Sequence, residues 1–264
     1  MEYLGSLGRL VGFRCASSER VGAEPRYSVE TTVEGRRFAQ ATPTAARTWD
    51  VTWGARQNPE LAKLSAFTSG AWGSGPWHWV SVQAQQGNLL TPREAGLLEF
   101  GSSASLSAAG PIRGADGEWA ARSVSASLST GWVEIVRDIP VVAGTPVTFA
   151  LDVLGSEGDA LVLQFRDESG ATLLGVYGGE VTAQMSRTSM TVAAPEGAVS
   201  ARVGVRPGVA RFARPQVTWT AGPVPYSAGH GCRMAVVDGF SEDLIVANRS
   251  GTYSSAGFTV MEVG

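Results

Sequence analysis

The chain has 264 residues, 44% of them hydrophobic and 17% charged, with a formal net charge of −3. That length supports one large or two small domains, each with its own core, and the composition excludes a disordered chain. A near-neutral balance without a basic stripe excludes nucleic acid as an expected partner, and no apolar run reaches the length that membrane insertion requires.

The 33 Gly and 13 Pro follow no collagen period, which predicts many short strands joined by turns: an all-β protein. The basic residues are nearly all Arg, Lys63 being the only lysine, a skew that fits a GC-rich coding sequence and points to no mechanism. Cys15 and Cys232 are too few for a disulfide framework and wrongly spaced for zinc; they read either as two buried thiols or as a bridge tying the ends together. Met1-Glu2-Tyr3 opens directly into mixed sequence with no basic-then-apolar leader, so a soluble protein made in the cytoplasm without a signal peptide is expected.

Residues 1–14 alternate loosely. Tyr27, Val29, Thr31 and Val33 share one face of a predicted strand, Glu34-Gly35 reads as a hairpin turn, and Arg36 to Gln40 return antiparallel. From Arg47 to Trp53 the period of two places Trp49, Val51 and Trp53 inward and Thr48, Asp50 and Thr52 outward. One short helix is predicted next, capped by Asn58, opened by Pro59 and Glu60, lined by Leu61, Leu64 and Phe67, and ended by Gly70. Trp72, Trp77 and Trp79 follow within eight positions, the last two alternating as a strand places them. With Trp49 and Trp53, they read as core or subunit-interface filling.

After Asn88 the composition shifts to Ser, Ala and Gly, and short alternating strands recur about every ten residues, the rhythm of a β-sandwich. The predicted strands are 104–108, 119–128, 132–142, 147–153, 160–166, 172–176, 187–193, 199–205 and 210–219, with Asp167-Glu168-Ser169-Gly170 as a hairpin turn. Two sheets packed face to face, a jelly roll, accommodate them. This segment resembles galactose-binding-like, carbohydrate-binding jelly-roll modules. The residues that carry the resemblance are Asn88-Leu89-Leu90, Gly131-Trp132 ahead of a strand, Val142 to Phe149, Phe165 to Gly170 and Ala194 to Val203. The resemblance implies sugar held by aromatic platforms and polar side chains. Trp119, Trp132 and Tyr177 are the candidate aromatics and Gln164 and Arg166 the polar candidates, although a sandwich core also uses such residues. The acids at Asp167-Glu168 and from Asp152 to Asp159 read as solvated turns, or as the structural calcium site of some such modules; no metal or cofactor is expected.

Pro223-Val224-Pro225 breaks the rhythm, and the remaining forty or so residues are too few for an independent core. Cys232, Met234 and Val236 alternate with Arg233, Ala235 and Val237; Asp238-Gly239 reads as a turn, 243–248 as a strand and 257–263 as a last one. Residues 1–88 offer an unfinished sheet, so 1–88 and 223–264 are expected to form one domain, with 89–222 inserted as the sandwich.

The run Arg47 to Trp53, helix, Gly75-Pro76-Trp77-His78-Trp79-Val80, Asn88-Leu89-Leu90-Thr91-Pro92, inserted module and terminal Tyr253 to Gly264 resembles the minor tail proteins, in particular the distal tail proteins, of long-tailed phages infecting actinobacteria. That resemblance implies a virion protein at the tail tip. Its split domain builds a ring, usually a hexamer and sometimes a trimer, and meets tail-tube, tip or hub proteins while the jelly roll projects outward. The alternative role is an adhesin for host cell-surface glycan. An enzyme is not expected. His78 and His230 are the only imidazoles, and no nucleophile elbow, phosphate loop or paired carboxylates stand out.

Overall fold

The computed structural model describes residues 1–24, 27–41, 46–101, 103–156, 158–248 and 251–263, and the side chains among them except at 23, 24, 27–29, 38–41, 55–60, 248 and 251. The chain is all-β with several antiparallel sheets. It divides into two compact units, one of Met1–Ser6, Val11–Trp79 and Arg233–Gly264, the other of Leu7–Leu10 and Val80–Cys232. Residues 7–10, 80–88 and 223–232, expected with the split sheet, thus group with the inserted unit.

The chain opens with β1 (Glu2–Ser6), β2 (Arg9–Phe13) and β3 (Ser18–Glu24), the last a strand the periodicity did not reveal. The expected hairpin forms β4 (Tyr27–Thr31) and β5 (Arg37–Ala41), with Thr32 N–H donating to Arg36 O at 2.8 Å. It is a separate two-stranded sheet, not part of a half-buried one: residues 30–37 are all exposed, Val33 included. Then come β6 (Ala46–Gln57), the helix α1 (Asn58–Thr68) and β7 (Trp77–Val80). The capping side chains proposed at 58–60 lie outside those described, whereas Leu61, Leu64 and Phe67 are buried as one stripe.

The expectation of a single helix is corrected by α2 (Val82–Gln86) and α3 (Pro92–Ala95). Ser81 Oγ caps the first by accepting from Ala84 N–H, and Thr91 with Glu94 forms a reciprocal capping box on the second. The sandwich follows with β8 (Leu106–Ala109), β9 (Ile112–Arg113), β10 (Trp119–Ala120), β11 (Ser123–Ala126), β12 (Val133–Pro140), β13 (Pro146–Gly155), β14 (Asp159–Arg166), β15 (Thr172–Glu180), β16 (Ser186–Ala193), β17 (Ser200–Val205) and β18 (Val209–Thr218). Its five-stranded sheet has the order β16-β13-β18-β11-β8 and its four-stranded sheet β12-β17-β14-β15, a jelly-roll-like pair; β9 and β10 form a small ribbon. The strand read over 119–128 is therefore two short ones. The alternation read from Val133 to Asp138 breaks at a register shift, so that Ile135 and Val136 are both buried.

The chain ends with β19 (Cys232–Asn248) and β20 (Gly251–Glu262). Asp238-Gly239 is not a turn. Gly239 takes φ +64°, its N–H bonds Asp238 Oδ1 at 2.8 Å, and the pairing shifts register between Asp238 and Ser241, so β19 runs on through a bulge. The first unit's sheet has the order β2-β1-β7-β19-β20-β6-β3, so strands from both chain ends complete it. Trp49, Val51, Trp53, Trp77, Trp79, Phe258 and Val260 build its core with Phe13 and Phe67. Trp53 meets Phe258 at 5.0 Å between centroids, and Phe67 meets Trp77 edge-on at 5.3 Å. Each such side chain contributes about 1.5–3 kcal/mol by leaving water. Trp72 instead stays half exposed, stacked on Phe67 at 5.6 Å.

In the second unit the chain enters and leaves the sandwich side by side. Asn88, fully buried, uses every hydrogen-bonding position it has: Nδ2 donates to Pro215 O and Ser227 O, both at 3.1 Å, while Oδ1 accepts from Leu90 N–H at 3.2 Å and Val217 N–H at 3.1 Å. His230 N–H and Gly231 N–H add backbone bonds to Asn88 O and Leu90 O, each at 2.9 Å. A Cβ on Gly231 would collide with Leu89 O, so the close approach requires glycine. Neither cysteine is in a disulfide; Cys232 is buried, but Cys15 is exposed, against the expectation of two buried thiols or a bridge.

Candidate functional site

The two sheets of the sandwich turn different outer faces away from the shared core. On the five-stranded sheet, outward Asp152 is fully buried by the chain's own cover. Its Oδ1 accepts from Arg187 Nη1 at 2.8 Å and its Oδ2 from Arg214 Nε at 2.6 Å. Arg214 also makes a bidentate pair with Asp116 at 2.8 and 2.9 Å, and Arg187 bonds Gln216 Oε1 at 2.5 Å. The Tyr226 ring lies against both guanidiniums, at 5.5 Å from Arg187 and 5.3 Å from Arg214. Burial opposes charge on Arg214, but hydrogen bonds and attraction from Asp116 and Asp152 outweigh it and raise its pKa. The Arg214 hydrogen bonds and charge hold the Asp116 carboxyl down at about 2. Asp152 is therefore neither in a solvated turn nor a calcium ligand; two arginines occupy its oxygens.

The four-stranded sheet is different. Leu161, Leu163 and Phe165 of β14 point into the core, so alternation turns Val162, Gln164 and Arg166 outward. Register then sets Gln164 opposite Arg202 of β17 and Gly175 of β15, and Val162 opposite Gly204 and Tyr177. Arg202 Nε donates to Gln164 Oε1 at 2.9 Å, its Nη2 to Thr172 Oγ1 at 3.4 Å, and its Nη1 lies 3.6 Å from Glu134 Oε2. Arg137 approaches the other Glu134 oxygen at 3.4 Å. The Trp132 ring rests on Gly204, where a Cβ would stand 2.5 Å from it, and the Arg202 guanidinium lies over that ring at 5.0 Å. Between them is a polar cleft of about 270 Å³ lined by Gly101, Trp132, Val133, Glu134, Arg137 and Arg202. It is slightly smaller than a drug-sized pocket.

Of the residues selected from sequence, Trp132 and Gln164 meet at this cleft through Arg202, and Tyr177 shares the same sheet face at 49% exposure. Arg206 lies 4.8 Å over the Tyr177 ring and pairs with Asp159 at 3.0 Å. Arg166 is occupied elsewhere: its Nε donates to Gly170 O at 2.6 Å and staples the hairpin turn, where Asp167 Oδ1 accepts from Ser169 Oγ and Ala171 N–H. Trp119, 62% exposed, sits on the β9–β10 ribbon, whose loop is tied to Asp152 and Arg214 of the other sheet, with Arg113 over its ring at 5.0 Å. Sequence reasoning missed Glu134, Arg137 and Arg202, whose relevance depends on β14–β17 and β12–β17 register. The cleft offers guanidinium donors, a carboxylate acceptor and a flat ring. These are groups that can hydrogen-bond and stack on a ligand. Among the described residues no cluster of acids, His or Cys could hold a metal ion, and no helix is long and apolar enough to cross a membrane.

No family model and no curated protein matches the chain. Among solved structures it is similar to the CBM22-1 and GH10 modules of Clostridium thermocellum endo-1,4-beta-D-xylanase 10B complexed with xylohexaose, at 15% identity and a TM-score of 0.32, covering 45% of this chain and 25% of that one. It is also similar to the enzymatically active domain of tailspike protein 4 of bacteriophage CBA120, at 13% identity and a TM-score of 0.36, covering 50% of this chain and 21% of that one. The chain thus matches about a quarter and a fifth of those proteins' lengths, and at these scores neither likeness identifies a family or an activity.

Proposed function

We propose that this chain is a structural virion protein of a phage tail tip, a distal or minor tail protein, whose split sheet assembles with further copies and neighbouring tail proteins while the sandwich is carried as an inserted module. The observation that supports this reading best is the interrupted sheet itself. Strands from both chain ends complete it, and the described residues leave long two-stranded ribbons and unpaired edges on it, features of a subunit built to be joined. The order of tryptophan strands, helix, inserted module and terminal strands adds the resemblance to distal tail proteins. Electron microscopy of the intact particle with a label on this chain tests the reading: density at the tail tip is expected, and a label on the capsid or no label on the virion would overturn it.

The Trp132–Gln164–Arg202–Glu134 cleft favours a second role that is compatible with the first, attachment to host cell-surface glycan. Ring, guanidinium and carboxylate on one rigid sheet are the elements a sugar needs for stacking and hydrogen bonding, and several copies presented together multiply weak sites into useful avidity. A whole-cell pull-down should retain the protein and lose it on Trp132→Ala and on Tyr177→Ala; retention undiminished in both would discard the site.

A further inference from the structure

The first unit leaves two ribbons unfinished, and they complement each other. Seven consecutive residues of β19, Ser241 to Ala247, are exposed, among them Leu244 at 64%, Ile245 at 52% and Val246 at 44%. Seven exposed residues in succession span both faces of the strand, even with the register shift between Leu244 and Val246, so neither face of this segment is covered. Among the described residues much of its edge is open as well. The neighbours of β19 are β20 on one side and β7 on the other, and β7 has only four residues against the seventeen of β19. Natural edges are usually blunted by lysine, proline, bulges or shortness. This one has a register shift between Leu244 and Val246, yet it carries three apolar residues in a row, and its charges are the acidic pair Glu242-Asp243.

The β4–β5 ribbon is the counterpart. It is a sheet of two strands, so β5 also keeps an edge without a strand partner among the described residues. That strand begins at an adjacent basic pair, Arg36-Arg37, exposed and without an ion pair among the described residues, beside the exposed apex residue Val33. The two ribbons leave the seven-stranded sheet at opposite ends. Tyr253 pairs with Gln57 at the end of β6 nearest the β19–β20 tip, whereas Glu24 pairs with Ala46 at the other end, where the chain runs out into β4 and back from β5. Within one copy the roots of the two ribbons thus lie at opposite ends of β6, whereas successive copies can bring the two edges together.

We propose that the outer edge of β19 over Ser241–Asn248 receives the β5 edge of a second copy of this chain, with Arg36 and Arg37 of the incoming ribbon set against Glu242 and Asp243. Backbone pairing satisfies both open edges, Leu244, Ile245 and Val246 leave water against the incoming strand, and the charge match fixes which edge meets which. Donor and acceptor are different surfaces of the same chain, so the contact is heterologous and repeats from copy to copy until it closes into a ring or continues as a filament. This inference rests on the assembly reading above and names the surfaces that reading would use.

The test is the mass of the full-length protein by light scattering and sedimentation velocity over a range of concentration and salt. The parent should exceed monomer mass and dissociate as salt rises. Two reversed variants, Glu242→Arg with Asp243→Arg, and Arg36→Glu with Arg37→Glu, should each weaken association by about tenfold or more, because like charges then face each other. Mixing the two variants should restore it, as should one chain carrying all four changes; Ile245→Lys should block it in every background. All these positions are exposed, and unchanged circular dichroism and melting would show that the fold is kept. A parent monomeric throughout, reversals without effect, or reversals that mixing does not rescue would overturn the proposal. The label on intact particles separates the two levels: a chain found at the tail tip whose reversals leave assembly unaltered sinks this interface and spares the tail reading, and a chain that assembles through the charge swap yet is absent from virions does the opposite.

Discussion

Asn88→Ala should be among the most damaging single changes in the second unit outside its apolar core. The substitution removes four hydrogen bonds at 3.1–3.2 Å and leaves Pro215 O, Ser227 O, Leu90 N–H and Val217 N–H facing a small void in a fully buried position. At about 1 kcal/mol per bond the loss comes to about 4 kcal/mol, and unpaired buried groups add to it. For a unit of this size that corresponds to a fall in melting temperature of about 8–16 °C. Asn88→Asp keeps the shape and the two accepted bonds but turns an oxygen towards two carbonyls, so it should be as damaging at neutral pH and partly relieved in acid, where the new carboxyl protonates and donates. The first unit should soften too, because its sheet joins 1–79 to 233–263 across the whole inserted stretch. Once the sandwich no longer holds that stretch's ends together, closing the loop costs entropy. Calorimetry together with urea unfolding measures these effects. A loss below about 1 kcal/mol with an unchanged urea slope would refute the view that Asn88 clamps the module's entrance to its exit.

Three further outcomes follow from particular side chains. Burial, and after it the charge of Glu19, raise the Glu2 carboxyl to about 7 from 4.5, so the stability it contributes is present below about pH 4.5 and lost as pH rises through 7. Glu2→Gln should flatten that slope in thermal melts and gain at most about 3 kcal/mol over the parent at pH 8. Asp152→Ala strands the Arg187 and Arg214 guanidiniums beside a buried void and should cost about 3–5 kcal/mol in urea unfolding, whereas Asp116→Asn, at the exposed end of the same network, should cost far less. Gly204→Ala puts a methyl against Val133 O as well as where Trp132 rests, and should shift tryptophan fluorescence while costing about 1–3 kcal/mol; an unchanged spectrum would mean the ring is not seated there.

Much of the fold was legible because its signals are local. The period of two at Trp49, Val51 and Trp53 required only neighbours in sequence, and all three are core. The Thr91-Pro92-Arg93-Glu94 capping box was equally readable but belongs to a helix of four residues, too short for any hydrophobic periodicity to draw attention to it. Asp238-Gly239 has turn composition, yet the ladder to β20 continues on both sides of it, and only that ladder distinguishes a bulge from a turn. The site was less legible because it is assembled by register. Gln164 could be picked for its polarity within an apolar strand, but its partner Arg202 is 38 residues away. Asp152 read as a loop acid because its ligands, Arg187 and Arg214, lie 35 and 62 residues further on.

The arginine excess has a physical use as well as a coding one. Arg47 lies over Trp49, Arg113 over Trp119, Arg202 over Trp132, Arg206 over Tyr177, and Arg187 and Arg214 flank Tyr226. A guanidinium can stack flat on a ring while its N–H groups bond in its own plane, as Arg47 does to both Glu262 oxygens at 2.8 Å; an ammonium cannot do both. Arg214 illustrates how firmly such pairs hold, since its backbone stays at φ +52° under the grip of Asp116 and Asp152, a conformation that costs a non-glycine residue about 1–2 kcal/mol. The same device constrains the glycan role. Trp132 has Gly204 beneath it and Arg202 against it, so a sugar would find little free aromatic face and would depend on the in-plane donors of Arg202 and on Glu134. Recognition at this cleft would then be set by hydrogen bonding more than by stacking, and Arg202→Met would weaken it at least as much as loss of the ring.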